Sequence, residues 1–518
     1  MKLGLKHILF FIFILSQDLW AQTPIASIRQ NNLLGISNSN GLLFDSLSNV
    51  GLTIKRNNAL FSLINSSGLW LSGKDSLGNL HIAAHNVLGN NHDFWAGPLE
   101  TKSGQSANPN LWNKVYPISK TEIQNHQKNY RNSGYTPSSN ILNWPGSSSL
   151  PYSKTLAPFV DIELNNQLYE PLNGDYPYIT SDALIYSIFN DNYAKHSYSN
   201  SISLGVEVHS SLYAFNSNDK YLQNSLLARF VVYNRSGKSY DNFRLSNVIN
   251  FKIGNQANEF LGTDVKNNTL YAINDTKEAT FQNKLLSIGC MIFNRPLHST
   301  MYFLNENNSI NGQPVNDTDF YKLMQGNWKN GKKLSYGSDG VDGIGTANFI
   351  YPNISDNSHS NLLWTEESSG NTSGQRIGIL NTGATKFKNG QFQVFDFIYF
   401  FVDENTSDIK QIDSFCINLK NALKVKNLLK NNKNFTNNKD AIDIYPNPVN
   451  TTSILTIQRN SEIDCSIEIF DMTGKSVFKK YLAENDKNIT LPPNLVNGIF
   501  FLNIKTLNTI TTKKLTIH

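Results

Sequence analysis

Cys465-Ser466-Ile467-Glu468-Ile469-Phe470 leads into the turn residues Asp471-Met472-Thr473-Gly474, and the chain returns through Ser476 to Tyr481. Apolar Cys465, Ile467 and Ile469 alternate with polar neighbours, which is the period of a strand with one buried face. The turn residues are those of a tight hairpin connection. This stretch therefore predicts a β-hairpin.

The residues around this hairpin extend the same pattern. Asn497-Gly498 precedes the apolar run Ile499 to Ile504, and Lys513 to Ile517 supplies a last strand. Residues 431–440 are nearly all Asn and Lys, a composition typical of a linker. We therefore predict a small Ig-like β-sandwich over residues 441–518, joined by this linker to the body of the protein.

The body also consists mainly of strand patterns. Leu69 to Asp75 and Leu80 to Ala84 flank a Gly-Asn connection and predict a hairpin. Leu226 to Asn234 and its neighbours are typical of successive sandwich strands, and the almost continuously apolar run Phe392 to Val402 indicates a strand buried on both faces.

One helix is expected, at about 407–430. Its apolar residues recur at intervals of three and four, with acidic side chains early and lysines late, as the helix dipole favours. The predicted fold class is mainly β, an antiparallel β-sandwich body of one or two domains. We divide the body into a β-rich region at 22–166 and a sandwich region at 167–430 that ends in this helix.

Composition and the N-terminus indicate an exported protein. Residues 1–21 place two lysines before a short apolar run and end at Ala21, as a signal peptide does. Net charge is only +5 over 518 residues, so we expect no nucleic-acid partner. The three cysteines, Cys290, Cys416 and Cys465, are widely spaced and are expected to be small core residues rather than a disulfide framework.

Histidines at three nearby positions invite a metal assignment. His81, His85 and His92 lack the glutamate and the final spacing of a zinc helix, and they lie in a strand pattern. We therefore expect them on the polar edge of a hairpin. Calcium is the one possible cofactor, with Asp339 and Asp342 in an acidic Gly-rich loop as candidate ligands. Ordinary Asp-Gly turn chemistry explains that loop equally. Asp264 and Glu259 near Gly262 form a weaker second pair.

No catalytic residue emerges from motifs. The sequence has no nucleophile elbow and no complete phosphate-binding loop. Scattered carboxylates could still serve a hydrolase, for example Asp161 with Glu163 or Glu366 with Glu367. Directly adjacent residues in a strand point to opposite faces, which disfavours the pair Glu366 and Glu367. Aromatic platforms for sugars are available among six tryptophans, most of which we expect in the core: Trp70, Trp95, Trp112, Trp144, Trp328 and Trp364.

Residues 441–518 resemble the type A C-terminal sorting domain of the type IX (Por) secretion system, found on secreted proteins of the Bacteroidota. The resemblance depends on four ordered motifs at the end of the chain. They supply the expected sorting residues Tyr445, Pro446, Asn447, Pro448, Asp471, Gly474, Lys475, Asn497, Gly498, Lys513 and Lys514.

The resemblance implies passage across the inner membrane by the signal peptide and across the outer membrane by the type IX machinery. Removal of the domain would follow, with release or attachment to surface lipopolysaccharide. We therefore expect a secreted or outer-membrane-surface protein that acts in binding or adhesion, with a glycan or protein ligand. A secreted glycan or peptide hydrolase and a structural surface-layer component are the alternatives.

Overall fold

The structure is a computed structural model that describes residues 25–45, 51–56, 59–101, 103–147, 156–162, 168–278, 281–282, 284–306, 309–359, 363–403, 409–425, 443–458, 465–482, 486–505 and 510–518. The expected signal peptide at 1–21 and the expected linker at 431–440 lie outside these ranges.

The described residues are mainly in strands. In chain order these are β1 (Ile25–Ile28), β2 (Leu33–Asn38), β3 (Leu52–Arg56), β4 (Ala59–Lys74), β5 (Leu80–Ala84), β6 (Trp95–Ala96), β7 (Tyr116–Ser119), β8 (Phe159–Val160), β9 (Tyr176–Pro177), β10 (Ala183–Asn190), β11 (Val206–Ala214), β12 (Ser225–Asn234), β13 (Tyr240–Phe251), β14 (Glu259–Asp264), β15 (Thr269–Asn274), β16 (Ser287–Ile292), β17 (Leu297–Phe303), β18 (Ile377–Thr382), β19 (Thr385–Phe387), β20 (Phe392–Val402), β21 (Asp443–Tyr445), β22 (Ile454–Gln458), β23 (Cys465–Phe470), β24 (Ser476–Leu482), β25 (Asn488–Thr490), β26 (Gly498–Lys505) and β27 (Ile510–Ile517). The helices are α1 (Pro109–Trp112), α2 (Lys120–Asn129), α3 (Ser139–Leu142), α4 (Lys220–Gln223), α5 (Asp317–Met324) and α6 (Ile409–Val425).

Two nine-stranded sheets form the body. The first runs β1-β2-β3-β4-β13-β18-β17, with β5 beside β4 and β19 beside β13. The second runs β14-β15-β16-β20-β12-β11-β10-β6, with β7 beside β10. Apolar side chains of both sheets, such as Leu71 and Val248 from the first and Phe230 and Phe397 from the second, fill one core between them. The predicted mainly β, antiparallel sandwich is thereby confirmed.

Both sheets combine strands from the two regions expected at 22–166 and 167–430. Strand β4 of the first region pairs with β13 of the second, and β6 and β7 pair with β10. These regions therefore share a core, and the boundary between them stays a prediction.

Particular elements follow the sequence closely. Strands β4 and β5 pair as the predicted hairpin, and β20 lies inside the second sheet between β16 and β12, buried from Val394 to Val402. Helix α6 forms where the apolar period predicts it and packs Ile412, Cys416 and Leu419 on the outer face of the second sheet. The described residues include no helix long and apolar enough to span a membrane.

The C-terminal unit is a separate small sandwich. Its sheets are β21-β22-β25 and β24-β23-β26-β27, and the predicted hairpin is β23 with β24. Aliphatic side chains such as Ile467, Leu502 and Leu515 fill its core, together with Cys465. All three cysteines of the chain are free and buried, as predicted.

Candidate functional site

The acidic loop that suggested calcium forms a turn that is stabilised by a hydrogen bond within the loop. Asp339 is half-buried, and its Oδ1 accepts a hydrogen bond of 3.0 Å from the backbone N–H of Val341. The Tyr302 hydroxyl donates to the backbone carbonyl of Asp339. Asp342 is exposed. This geometry is ordinary Asp-Gly turn chemistry, and calcium at Asp339 and Asp342 stays a prediction.

Of the acid pairs that suggested a hydrolase, Glu366 and Glu367 lie in different surroundings. Glu366 is buried, accepts the Nε–H of Arg376 at 2.8 Å and accepts the backbone N–H of Leu261 at 2.6 Å, whereas Glu367 is exposed. Asp161 is half-buried, and Glu163 lies outside the described residues. Among the residues described, no group of three or more His, Cys, Asp or Glu side chains is arranged to hold a metal ion.

The expectation that the histidines lie on a polar edge is wrong for His81 and His85, which are both buried. One cause is the loop at residues 191–204, which packs over β5. The backbone N–H of Ile82 donates to the Ser201 hydroxyl, and Nδ1 of His81 lies 2.6 Å from the carbonyl oxygen of Ser203. Local alternation could not show this loop, because it approaches from more than a hundred residues away in the sequence.

His85 is held in one neutral tautomer. Its Nδ1 accepts the backbone N–H of Leu69 at 2.9 Å, so its Nε2 carries the proton and donates to the carbonyl of Asn40 at 2.9 Å. Burial lowers the pKa of His85 to about 4. Both ring nitrogens are occupied by backbone groups, and His85 is therefore a structural residue rather than a ligand.

Four of the six tryptophans are buried, as expected for most of them. Each donates its indole N–H to a backbone carbonyl at 2.8–3.0 Å, and these residues are Trp70, Trp144, Trp328 and Trp364. Trp95 and Trp112 are half-buried. These two are therefore the tryptophans of the set that are available to a ligand.

Trp95 lies at the centre of an aromatic surface at the β6 edge of the second sheet. Its ring centroid is 5.4 Å from that of His92 and 6.1 Å from that of Tyr193, whose side chain is 51% exposed. Trp112 packs on the backbone of Gly97, where an added Cβ would lie 3.0 Å from the Trp112 side chain. We call Trp95, Tyr193, His92 and Trp112 the Trp95 surface.

Polar side chains border the Trp95 surface. Asn192 and Lys195 are exposed in the loop that carries Tyr193, and Asn108 and Asn110 are exposed beside Trp112. Asn192 is fixed in place, because its amide donates to the carbonyl of Gly104 at 2.8 Å. The border thus presents amide and ammonium groups around aromatic rings.

A buried charged cluster lies behind this surface. The Nδ1 of His196 is 2.7 Å from the carbonyl oxygen of Ile82, and its Nε2 is 2.7 Å from the carbonyl oxygen of Asp191. Both partners are acceptors, so both nitrogens donate and His196 is an imidazolium. The carboxylates of Asp93 and Asp191, at 3.8 and 3.7 Å, supply the compensating negative charge.

The two carboxylates also hold the loop backbone. Asp93 accepts the N–H groups of Ala84 at 3.0 Å and Tyr198 at 3.0 Å, and Asp191 accepts that of Val206 at 2.8 Å. Burial raises the pKa of Asp191, and the neighbouring His196 charge opposes that shift. Because the Trp95 and His196 rings are 6.0 Å apart, this cluster fixes the base on which the surface is built.

Sequence reasoning missed a second buried polar cluster, on the outer face of the second sheet. Glu207 accepts the Nε2–H of His209 at 2.9 Å, and Nδ1 of His209 lies 2.7 Å from the Tyr186 hydroxyl. The alternation of Glu207 and His209 in β11, which places both on one face, was the available signal. Tyr186 is only 4% exposed, so this cluster does not reach solvent, and its hydrogen bonds serve to satisfy buried polar groups.

The sorting motifs of the C-terminal unit are close together in space. The Asn447 amide donates to the carbonyl of Lys514 at 2.7 Å, and its Oδ1 accepts the N–H of Thr516 at 2.9 Å. The first motif, which holds cis peptide bonds before Pro446 and Pro448, is therefore joined to the last strand that carries Lys513 and Lys514.

The middle motifs form turns and strand starts. Asp471 accepts the Thr473 hydroxyl at 2.6 Å and the N–H of Lys475 at 3.1 Å, and the first of these contacts is the main cause of its lowered pKa. Gly474 has a φ of 84°, which favours glycine in this turn. Asn497 directly precedes Gly498, where β26 begins.

Comparison with known proteins agrees with this part of the structure. Residues 443–518 match the family described as secretion system C-terminal sorting domain. No curated protein matches the chain. A solved polysaccharide lyase structure is aligned over 60% of this chain and 34% of its own, at 7% identity and a TM-score of 0.19. That match spans about a third of the lyase chain, and at this TM-score the likeness carries no argument. The C-terminal residues 443–518 are thus a type IX secretion sorting domain, and the chain that carries it is a secreted protein.

Proposed function

We propose that this protein binds glycans at the bacterial surface through the Trp95 surface. The observation that carries the proposal is the pair of aromatic rings, Trp95 and Tyr193, which lie beside each other at the edge of the body with Tyr193 half exposed. Sugar rings present patches of C–H groups that pack on aromatic faces, and their hydroxyls need hydrogen-bonding partners around those patches.

The border of the surface suits such a ligand. Asn192, Asn108 and Asn110 offer amide donors and acceptors, and Lys195 offers a cationic donor. A neutral or acidic oligosaccharide therefore fits the border better than an apolar ligand.

A fixed base favours binding because little conformational entropy is lost when the ligand arrives. The His196 imidazolium and its two carboxylates anchor the loop of Tyr193 to β5 and to the segment before Trp95. Rings that are already held in place stack on a sugar without further ordering.

The destination of the protein is consistent with this role. The sorting domain implies the type IX secretion machinery as a partner. We propose that the domain is removed after export and that the body is attached to surface lipopolysaccharide, from which the Trp95 surface meets glycans of a host or matrix. Fractionation of cells before and after enzymatic release of lipopolysaccharide tests the attachment.

The test of the binding proposal is a glycan array probed with the purified mature protein. We expect wild-type binding to at least one oligosaccharide class and a loss of at least about tenfold in affinity in Trp95→Ala and in Tyr193→Ala, since a loss of about 1.4 kcal/mol is tenfold. The matched control is Phe392→Ala, another exposed aromatic residue on the outer face of the same sheet, at 41% exposure.

Two outcomes would contradict the proposal. One is an array with no bound glycan, which removes the ligand class. The other is binding that survives Trp95→Ala and Tyr193→Ala while Phe392→Ala abolishes it, which places the ligand elsewhere on the sheet. Unchanged thermal unfolding of all three variants is required, so that a loss of binding is not a loss of fold.

A further inference from the structure

Three oxygen-bearing side chains surround one peptide at the far end of the second sheet. Glu259 begins β14 and lies directly opposite Asn274, the last residue of β15. Glu259 Oε1 accepts the backbone N–H of Ile253 at 2.9 Å, and the Asn274 amide donates to the carbonyl of Ile253 at 3.0 Å. Both side chains therefore reach the same residue from neighbouring strands.

Glu278 completes the group. Its Oε1 accepts the Asn274 amide at 2.9 Å and the Asn258 amide at 3.2 Å. Its Oε2 lies over Gly254, where an added Cβ would collide with it, so the close approach depends on glycine at that position. Gly254 also has a φ of 69°, which disfavours other residues there.

Two oxygens in this group have no hydrogen-bond partner although they are buried. They are Oε2 of Glu259 and Oδ1 of Asn274, and their residues are 0% and 1% exposed. A buried acceptor without a donor costs roughly 1–3 kcal/mol, and more if it is charged. A folded protein normally compensates such a pair with a donor or with a cation.

We propose that Glu259, Asn274 and Glu278 form a calcium-binding site. Two carboxylates match the charge of a divalent cation, and the amide oxygen of Asn274 adds a neutral ligand of the same hard type. The three proposed ligands are oxygen donors, without an imidazole or a thiolate among them, which favours calcium over zinc. Water completes the coordination shell, as in many calcium sites with few protein ligands.

A proton competes with the cation. Burial, and to a lesser degree the charge of Glu278, raises the pKa of Glu259 to about 8, while Arg376 opposes the shift and is itself paired with Glu366. Protonated Glu259 provides a donor for a neighbouring acceptor and removes one buried charge. A cation beside the Glu259 carboxylate would offset the cost of burying its charge.

The test uses the full mature protein with calcium chloride as the ligand, measured by isothermal titration and by thermal unfolding with and without chelator. We expect binding of calcium and a higher unfolding temperature in calcium than in chelator. In Glu259→Gln the amide supplies the missing donor. That variant should therefore lose the calcium response and, in chelator, unfold at a higher temperature than the wild type.

The matched control is Asp241→Asn, which changes an exposed carboxylate of the first sheet and should leave the calcium response intact. A second variant, Asn274→Asp, adds a ligand charge and should strengthen calcium binding while lowering the unfolding temperature in chelator. It keeps the proposal testable if Glu259→Gln fails to fold. Absence of calcium binding in the wild type, or a response that persists in Glu259→Gln or is abolished by Asp241→Asn, would overturn the proposal.

Discussion

The body and the sorting domain are both antiparallel sandwiches, but they bury different kinds of side chain. The described core of the sorting domain contains aliphatic residues, one phenylalanine and one cysteine, and no buried polar or charged side chain occurs in its described residues. The body buries His196, Asp93, Glu207 and the Glu366–Arg376 pair, among others.

This difference follows the different roles of the two units: the sorting domain directs export, and the body carries the sites where we propose ligands. A sandwich with an apolar core needs only alternating residues and turns, so its strand pattern is recognisable from the sequence. Buried charge is costly and has to be matched group by group. The body carries that cost beside the Trp95 surface and at the Glu259 group, which are the two places where we propose ligands.

Removal of residues 440–518 gives the largest expected effect. No strand of the sorting domain belongs to either nine-stranded sheet, so the body should fold without it. We expect complete loss of surface delivery, with a protease-resistant body retained in the periplasm, as measured by fractionation and limited proteolysis. Unchanged surface delivery would contradict the role of the domain in export, and a degraded body would contradict its structural independence.

The buried cluster behind the Trp95 surface should dominate the stability of the body. Asp93→Ala removes a counter-charge of His196 and leaves several N–H groups without their acceptor, at a cost of about 3–5 kcal/mol. Urea unfolding followed by tryptophan fluorescence measures this, because every tryptophan of the chain precedes the sorting domain.

Asp342→Ala is the control for Asp93→Ala, since Asp342 is exposed and should change stability by less than about 0.5 kcal/mol. Equal effects of the two substitutions would show that the buried cluster contributes little. In that case the body and the sorting domain would differ in the kinds of residue they bury, but the buried charges would not contribute to the stability of the body.

Acid should destabilise the body through His85. The folded state holds the pKa of His85 near 4, below the ordinary value of 6.5, so the folded state binds fewer protons than the unfolded state between these values. Stability is therefore fully present above about pH 6.5 and is lost as pH falls towards 4, by up to about 3 kcal/mol. Tryptophan-detected urea unfolding at several pH values measures the loss.

His85→Gln removes this titration and should flatten the acid dependence of the body, even if the variant is less stable at neutral pH. An unchanged pH profile in His85→Gln would contradict the assignment. The sorting domain offers a comparison within the same chain, because its one histidine, His518, is exposed.

The sequence predicted which residues form strands better than it predicted which distant residues pack around them. Period-two alternation identified β23 and β24, and continuous apolar character identified β20 as buried, because both signals are local. The helix at Ile409–Val425 followed from its own apolar spacing. His81 was misplaced because its burial depends on the loop around Ser203, which no local pattern reports.

The proposed sites show the same limit. Trp95 was one of six equivalent tryptophans until the structure showed four of them in the core with bonded indole groups. Glu259 and Asn274 are fifteen residues apart, and only the register of β14 with β15 places them opposite each other. Asp339 and Asp342 looked more like a calcium loop in sequence, although Asp339 holds its own turn.

The sequence by itself determined the export route, the mainly β class, helix α6 of the body and the sandwich of the sorting domain, because each depends on local period, turn chemistry or ordered motifs. The tertiary structure decided which aromatic rings reach solvent, which histidine is charged and which buried oxygens lack a partner. These properties depend on contacts between segments that are distant in the chain, and burial, protonation and hydrogen-bond satisfaction are set by those contacts.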